Sequence, residues 1–182
     1  MNNKKECYSK IMKFINNDDK CILVKGTNQY KKHKLVMSII NKHYKNEKIL
    51  FRVNGMENVL NNEFLGWTGI KKKVKSEKNI KIGNNYYQFD SIINSSTWFN
   101  TDKKFKFAIV YPIDPIIRNK KYEALENLFN HKELEKTFLI SWTDSKKYDY
   151  NGLEKYINSI AIYDAEEENI EYHKRVIEIQ TN

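Results

Sequence analysis

The feature that most constrains this chain is an alternation of short apolar runs with stretches of helical periodicity. Residues 20–25, 48–53, 105–111, 137–142 and 160–163 each form a short run rich in Ile, Val, Leu or Phe. Such nearly continuous runs suit strands buried on both faces of a parallel sheet. Between them the apolar residues recur at helical spacing. Tyr8, Ile11, Met12 and Ile15 mark a first helix, and Leu35, Met37, Ile39 and Ile40 a second. A further helical stretch runs from Gly55 through Leu65, and Leu125, Leu128 and Phe129 mark another helix over 122–131. Residues 153–157 read as a short helix. A last one carries Ile170, His173, Val176 and Ile177, with Asp164 as its cap and Glu166 to Glu168 as an acidic first turn. The end of that helix, 176–179, reads equally as a strand. Repeated strand–helix units imply a parallel sheet covered on both sides. The expected fold is therefore α/β, a three-layer sandwich with a mostly parallel five-stranded sheet, in a single domain over residues 1–182. Residues 66–90 form a basic, aromatic insertion. Within it, Ile80 to Ile82 and Tyr86 to Phe89 flank Gly83-Asn84-Asn85 as a small β-hairpin near residues 78–90. Asp90 is placed to cap a helix through Trp98.

Composition closes several routes. No apolar stretch approaches the roughly 18 residues of a membrane span, and residues 1–19 are charged throughout with no apolar signal core. The expectation is a cytoplasmic protein with no membrane partner. Cys7 and Cys21 are too few for a disulfide framework, and no Cys/His cluster suggests a metal. Both read as packing residues. His33, His43, His131 and His173 are not spaced as metal ligands; His43 and His131 fall near helix ends, where the dipole favours imidazolium. There is no nucleophile elbow and no zinc-protease motif. Glu123-Ala-Leu-Glu126 and Glu171-Tyr-His-Lys174 do not supply a nuclease core.

The charge is +9, carried by 29 Lys and only 3 Arg. Lys, Asn, Ile and Tyr fill 86 of 182 positions, so A/T-rich codon usage accounts for much of the lysine. It does not account for where the charge sits. Residues 1–110 hold 22 basic and 9 acidic side chains, a net of +13, while residues 111–182 hold 10 and 14, a net of −4. Such segregation attracts polyanions to one part of the molecule, or an acidic protein. Lysine-rich, arginine-poor surfaces favour phosphate attraction over bidentate base reading. In the insertion, Trp67, Tyr86 and Tyr87 are interleaved with Lys71, Lys72, Lys73 and Lys75, the combination that suits single-stranded nucleic acid. The alternative is a solvated surface segment whose aromatics anchor the hairpin.

Ligands of parallel sheets gather beyond the carboxyl ends of the strands. After the first strand the sequence reads Gly26-Thr27-Asn28-Gln29-Tyr30-Lys31-Lys32-His33. A phosphate-binding loop needs Gly, four spacers, then Gly-Lys and a Ser or Thr, the backbone amides and Lys cradling phosphates and the hydroxyl holding magnesium. Gly26 and Lys32 stand at that spacing, whereas Lys31 replaces the second Gly and His33 the hydroxyl. On these positions the chain resembles the P-loop NTPase superfamily with degenerate motifs. The resemblance implies an acidic residue at the end of a later strand, but residues 107–112 end in Tyr111-Pro112, with Asp114 three residues beyond Tyr111. Thr143 and Asp144, after the fourth strand, stand where the family often has a polar sensor. A site without either magnesium-holding group lacks the charge neutralisation that phosphoryl transfer needs.

The functional expectation is accordingly a non-catalytic P-loop-like binding or accessory protein that engages nucleic acid or another polyanion. Anion-binding candidates are Gly26, Thr27, Asn28, Gln29, Lys31, Lys32 and His33, with Asp114, Thr143 and Asp144 as a secondary polar site. Nucleic-acid candidates are Trp67, Lys71, Lys72, Lys73, Lys75, Tyr86 and Tyr87. No cofactor or metal is implied, and any nucleotide would bind without magnesium. The alternatives are an atypical nucleotide-dependent ATPase or kinase, and a protein-interaction subunit that meets its partner through the acidic C-terminal face.

Overall fold

A computed structural model describes residues 2–61, 64–71 and 73–181. The elements in chain order are α1 (Lys4–Ile15), β1 (Cys21–Lys25), α2 (Lys32–His43), β2 (Lys48–Val53), β3 (Ile80–Ile82), β4 (Asn85–Ser91) and β5 (Lys104–Tyr111). There follow α3 (Asp114–Asn119), α4 (Glu123–His131), β6 (Glu133–Ile140), β7 (Ser159–Ile162) and α5 (Ile170–Thr181). The α/β expectation holds, but the sheet has seven strands, in the order β3-β4-β2-β5-β6-β1-β7. All neighbours pair in parallel except β3 with β4. The hairpin of 78–90 is thus no appendage. Its second strand joins the sheet along the whole of β2, and Tyr87 and Phe89 enter the core.

The two faces bury separate apolar clusters. One is built from α1, α2 and the segment 56–74, with Ile11, Val36, Ile40, Val59, Leu65 and Val74 packed on Phe51, Phe107 and Phe138. The other sets Trp98, Ile116, Leu125, Leu128 and Leu153 against Leu23, Leu50, Val110 and Leu139. Alternate residues of each strand therefore face opposite clusters, as a buried pleated sheet requires.

Several element boundaries differ from the sequence reading. Asp90 caps no helix; it lies in β4 beside Arg52 of β2, and the two form a fully buried ion pair. Arg52 Nε donates to Asp90 Oδ1 at 2.8 Å and Nη2 to Oδ2 at 2.6 Å, with Asn127 and the Ala124 carbonyl taking further donors. Residues 95–99 form only a 3-10 turn. The stretch after Gly55 breaks into 3-10 turns at Met56–Leu60 and Gly66–Thr68 rather than one helix. Asp114-Pro115 starts α3, a proline at a helix start having no amide to waste. Residues 153–157 yield a 3-10 turn at Asn151–Leu153. The last helix begins at Ile170 and runs helical through 176–179; Asn169 Oδ1 accepts from the Tyr172 amide, while Asp164 is used elsewhere.

Cys7 and Cys21 are buried, and burial pushes both thiols up to about 12. They are packing residues, poor as thiolate nucleophiles at neutral pH.

Candidate functional site

The topology creates a crevice beside β1. The chain leaving β1 passes through α2 on one face to reach β2, whereas the chain leaving β6 steps over β1 on the other face to reach β7. Where neighbouring strands send their connections to opposite faces, a gap opens beyond their carboxyl ends. The loop after β1 and the loop after β6 border it, and Gly26 and Lys32 meet Asp144, whereas Thr27, Asn28 and Gln29 turn to Asp164, Tyr163 and Tyr172.

That gap is filled from within. Lys32 is fully buried; its Nζ donates to the Gly26 and Trp142 carbonyls and lies 3.6 Å from Asp144 Oδ2. Burial pulls the Lys32 ammonium below its usual range, and Asp144, Asp114 and Asp164 partly restore it. The loop amides have internal acceptors as well. Gly26 N donates to Asp144 Oδ2, Thr27 N to Asp164 Oδ1 at 2.9 Å, Asn28 N to the Tyr163 carbonyl at 3.1 Å and Gln29 N to the Thr27 carbonyl at 2.9 Å. Two carboxylates of the protein thus occupy loop amides. Gly26 has φ +116°, and a Cβ there would come within 2.4 Å of the Tyr163 carbonyl oxygen, so this position demands glycine twice over. Asp114 turns to the loop after β6, accepting from Trp142 N at 2.6 Å, Thr143 N at 2.8 Å and Thr143 Oγ1 at 2.8 Å. It holds that loop in place. Tyr150 donates to Asp144 Oδ1 at 2.9 Å, and burial beside Asp144 drives its phenol far above the usual range.

His33 takes no part in the crevice's polar lining. Its ring stacks on Tyr111 at 4.2 Å and on Phe64 at 5.7 Å, and its Nε2 lies 2.6 Å from the Phe64 carbonyl. Burial pushes it down to about 3, so the ring is neutral and Nε2 carries the proton that the carbonyl accepts. Tyr111 in turn donates to the Gln29 carbonyl at 3.0 Å. Helix α5 closes the outer side: His173 Nδ1 lies 2.7 Å from Thr27 Oγ1, Tyr172 donates to Gln29 Oε1 and Gln180 to the Thr143 carbonyl.

The open site lies on the other side of α2. A groove of about 630 Å³ is lined by Lys4 of α1, by Lys31, Lys34 and Lys42 along α2, by Trp67 and by Tyr163, and no carboxylate lines it among the described residues. Lys31 at its rim is paired with Glu168; Lys34 extends its ammonium to 5.7 Å from the centre of the Trp67 ring. Lys42 lies over Tyr8 at 5.9 Å. Trp67 is 44% exposed, with its Nε1 donating to the Phe64 carbonyl at 2.9 Å. Lys71, Lys73 and Lys75 are exposed on the same segment, which Val74 anchors to the α2 side of the core, whereas Lys72 lies outside the described residues. Tyr86 is half-buried and Tyr87 wholly buried, so Tyr87 is a core residue and offers no ring to a ligand.

The structure therefore splits the sequence candidates. Gly26 to Gln29, Lys32 and Asp144 come together in a closed crevice; Lys31 and Trp67 join a groove that the sequence reading did not delineate. Lys4, Lys34 and Lys42 were missed, although Lys31, Lys34, Ser38 and Lys42 recur at helical spacing and mark one ridge of α2. Asp164 and His173, which close the loop after β1, are distant in sequence and leave no local signal. Among the described residues no group of acidic, Cys and His side chains is arranged to hold a metal, and no helix is long and apolar enough to cross a membrane. Comparison with protein-family models, with curated proteins and with solved structures finds no match.

Proposed function

We propose that this chain is a non-catalytic binding or accessory protein, built on a degenerate P-loop-like scaffold, that engages nucleic acid or another polyanion through the α2 groove. The observation that carries this reading is the convergence of Lys4, Lys31, Lys34 and Lys42 with Trp67 on one concave surface that no described carboxylate lines. Lysines held close together raise the local concentration of phosphate and gain affinity from counterion release. The crevice supports the non-catalytic half. Its lysine and the amides of Gly26 to Gln29 already have acceptors, and a ligand at Gly26 or Thr27 would have to displace Asp144 or Asp164 from an N–H donor. A protein partner is the second reading, favoured by α5, which leaves Ile170, Ile177 and Ile179 exposed next to the acidic Glu166 to Glu168 run.

The test is a salt titration of oligonucleotide and heparin binding by the whole protein. Three groove lysines with no carboxylate bond among the described residues (Lys4, Lys34 and Lys42) give a slope of log affinity on log salt of about −2 for a single strand. Absence of binding to either polyanion at low salt overturns the reading, and magnesium-dependent ATP turnover overturns its non-catalytic half.

A further inference from the structure

Building on the reading that the groove takes a polyanion, we infer that its ligand is a single-stranded polynucleotide, with a base stacked on Trp67 and phosphates on the lysines of α2. The placement of the ring carries this inference. Trp67 sits on the 3-10 turn Gly66–Thr68 with its indole N–H tied to the Phe64 carbonyl, so one edge is fixed while nearly half of the side chain meets solvent. A large ring held at the wall of a basic groove is a stacking platform, and stacking accepts any base because every base has a π-face. Lys34 already has its ammonium above that ring, so a cation and an aromatic surface share one place. A nucleotide satisfies both at once, its base on the indole and its phosphate on Lys34.

The rest of the groove fits a strand rather than a duplex. Lys34 to Lys42 runs about 12 Å along the helix, at 1.5 Å per residue, which gives a line of charge for an extended backbone. In a duplex the bases are stacked on one another and turned away from a side chain on a groove wall, so Trp67 has nothing to meet. Arg is absent from the lining, so the bidentate reading of base edges that distinguishes sequences in duplex DNA is absent too. Recognition of this kind is tolerant of sequence and responds to strandedness. A bare polyanion such as polyphosphate uses the lysines alone and leaves the ring idle.

The experiment is fluorescence anisotropy of the whole protein with end-labelled oligo-dT and oligo-rU, an unlabelled duplex of equal length as competitor, and inorganic polyphosphate as a second competitor. Trp67→Ala and Trp67→Phe are measured beside the wild type, with thermal unfolding to check that each is folded. The expected result is binding of both single strands, weaker competition by the duplex, and about tenfold weaker oligonucleotide binding in Trp67→Ala. Trp67→Phe, which keeps a ring, should recover most of that loss. Oligo-dT and oligo-rU separate the two sources of a single strand, and binding of one alone also supports the inference. A duplex that competes as well as a single strand, or a Trp67→Ala protein that binds like the wild type, overturns it. In either case displacement by polyphosphate shows that the underlying polyanion reading survives; a wild-type protein that binds neither oligonucleotide nor polyphosphate overturns both.

Discussion

Lys32 and Lys34 are two residues apart on one helix and have opposite fates. Lys32 points into the crevice beyond β1, is wholly buried, gives its N–H groups to the Gly26 and Trp142 carbonyls and forms an ion pair with Asp144. Lys34 points into the groove and reaches a half-exposed tryptophan. A helical step of two residues turns a side chain by about 200°, so adjacent lysines serve opposite surfaces. The comparison separates charge that maintains the fold from charge that is free to meet a ligand. Net charge alone does not distinguish them. The crevice has the position expected of a ligand site and is internally satisfied, while the groove has no recognisable motif and gathers Lys4, Lys34 and Lys42 beside Trp67.

The comparison breaks most sharply at Asp144. Asp144→Asn leaves the Lys32 ammonium buried without its counter-charge, and removing one partner of a buried pair costs about 3–5 kcal/mol. Urea denaturation should show a loss of that size, against a change within about 0.5 kcal/mol for the groove variant Lys34→Gln. A small effect at Asp144 would mean that the crevice is less dependent on its internal ion pair than its geometry indicates.

The next effect is a pH dependence centred on His33. Its folded-state value is held down at about 3 from an ordinary 6.5, so it folds neutral. The unfolded chain therefore takes up a proton first as pH falls. This contribution to stability is complete above about 6.5 and is lost on acidification toward 3, at up to about 1.4 kcal/mol per pH unit. His33→Phe, which keeps a ring on Tyr111, should show a shallower loss over that window than the wild type. Parallel curves would remove His33 as the cause.

How much of this was legible in the sequence depended on the range of the interactions. Five of the six parallel strands were visible because burial on both faces leaves a local apolar run, and residues 48–53 are an instance; β4, with Asn85, Gln88 and Asp90 in it, read only as half of a hairpin. Asp90 was misread as a cap because its reason for being in a strand is Arg52, which is 38 residues away and adjacent only through the β2–β4 register. The start of α5 was misplaced for the same reason: Asp164 serves the Thr27 amide across the molecule, and Asn169 does the capping. Gly26 and Lys32 were legible as a pair at phosphate-loop spacing, but their contacts with Asp144, and that of Thr27 with Asp164, were not. Trp67 stood out among lysines in the sequence, whereas its neighbours Lys4 and Lys42 became neighbours only through the packing of α1 and α2.

The smallest expected effect is none at all. ATP with magnesium should leave the midpoint of thermal unfolding unchanged, whereas a ligand at a hundred times its Kd would add about 2.7 kcal/mol of stability. A shift that persists in Lys34→Glu/Lys42→Glu would show that Asp144 and Asp164 give way to phosphate, and would move the ligand site from the groove to the crevice.

The most direct test compares the two lysines by function. Single-stranded oligonucleotide binding is measured for Lys34→Glu/Lys42→Glu and for Lys32→Met, each verified as folded. Charge reversal in the groove should abolish binding and flatten its salt dependence, while Lys32→Met binds like the wild type. Loss of binding in Lys32→Met together with retention in the groove variant would contradict the central claim that the available charge lies on the outer side of α2.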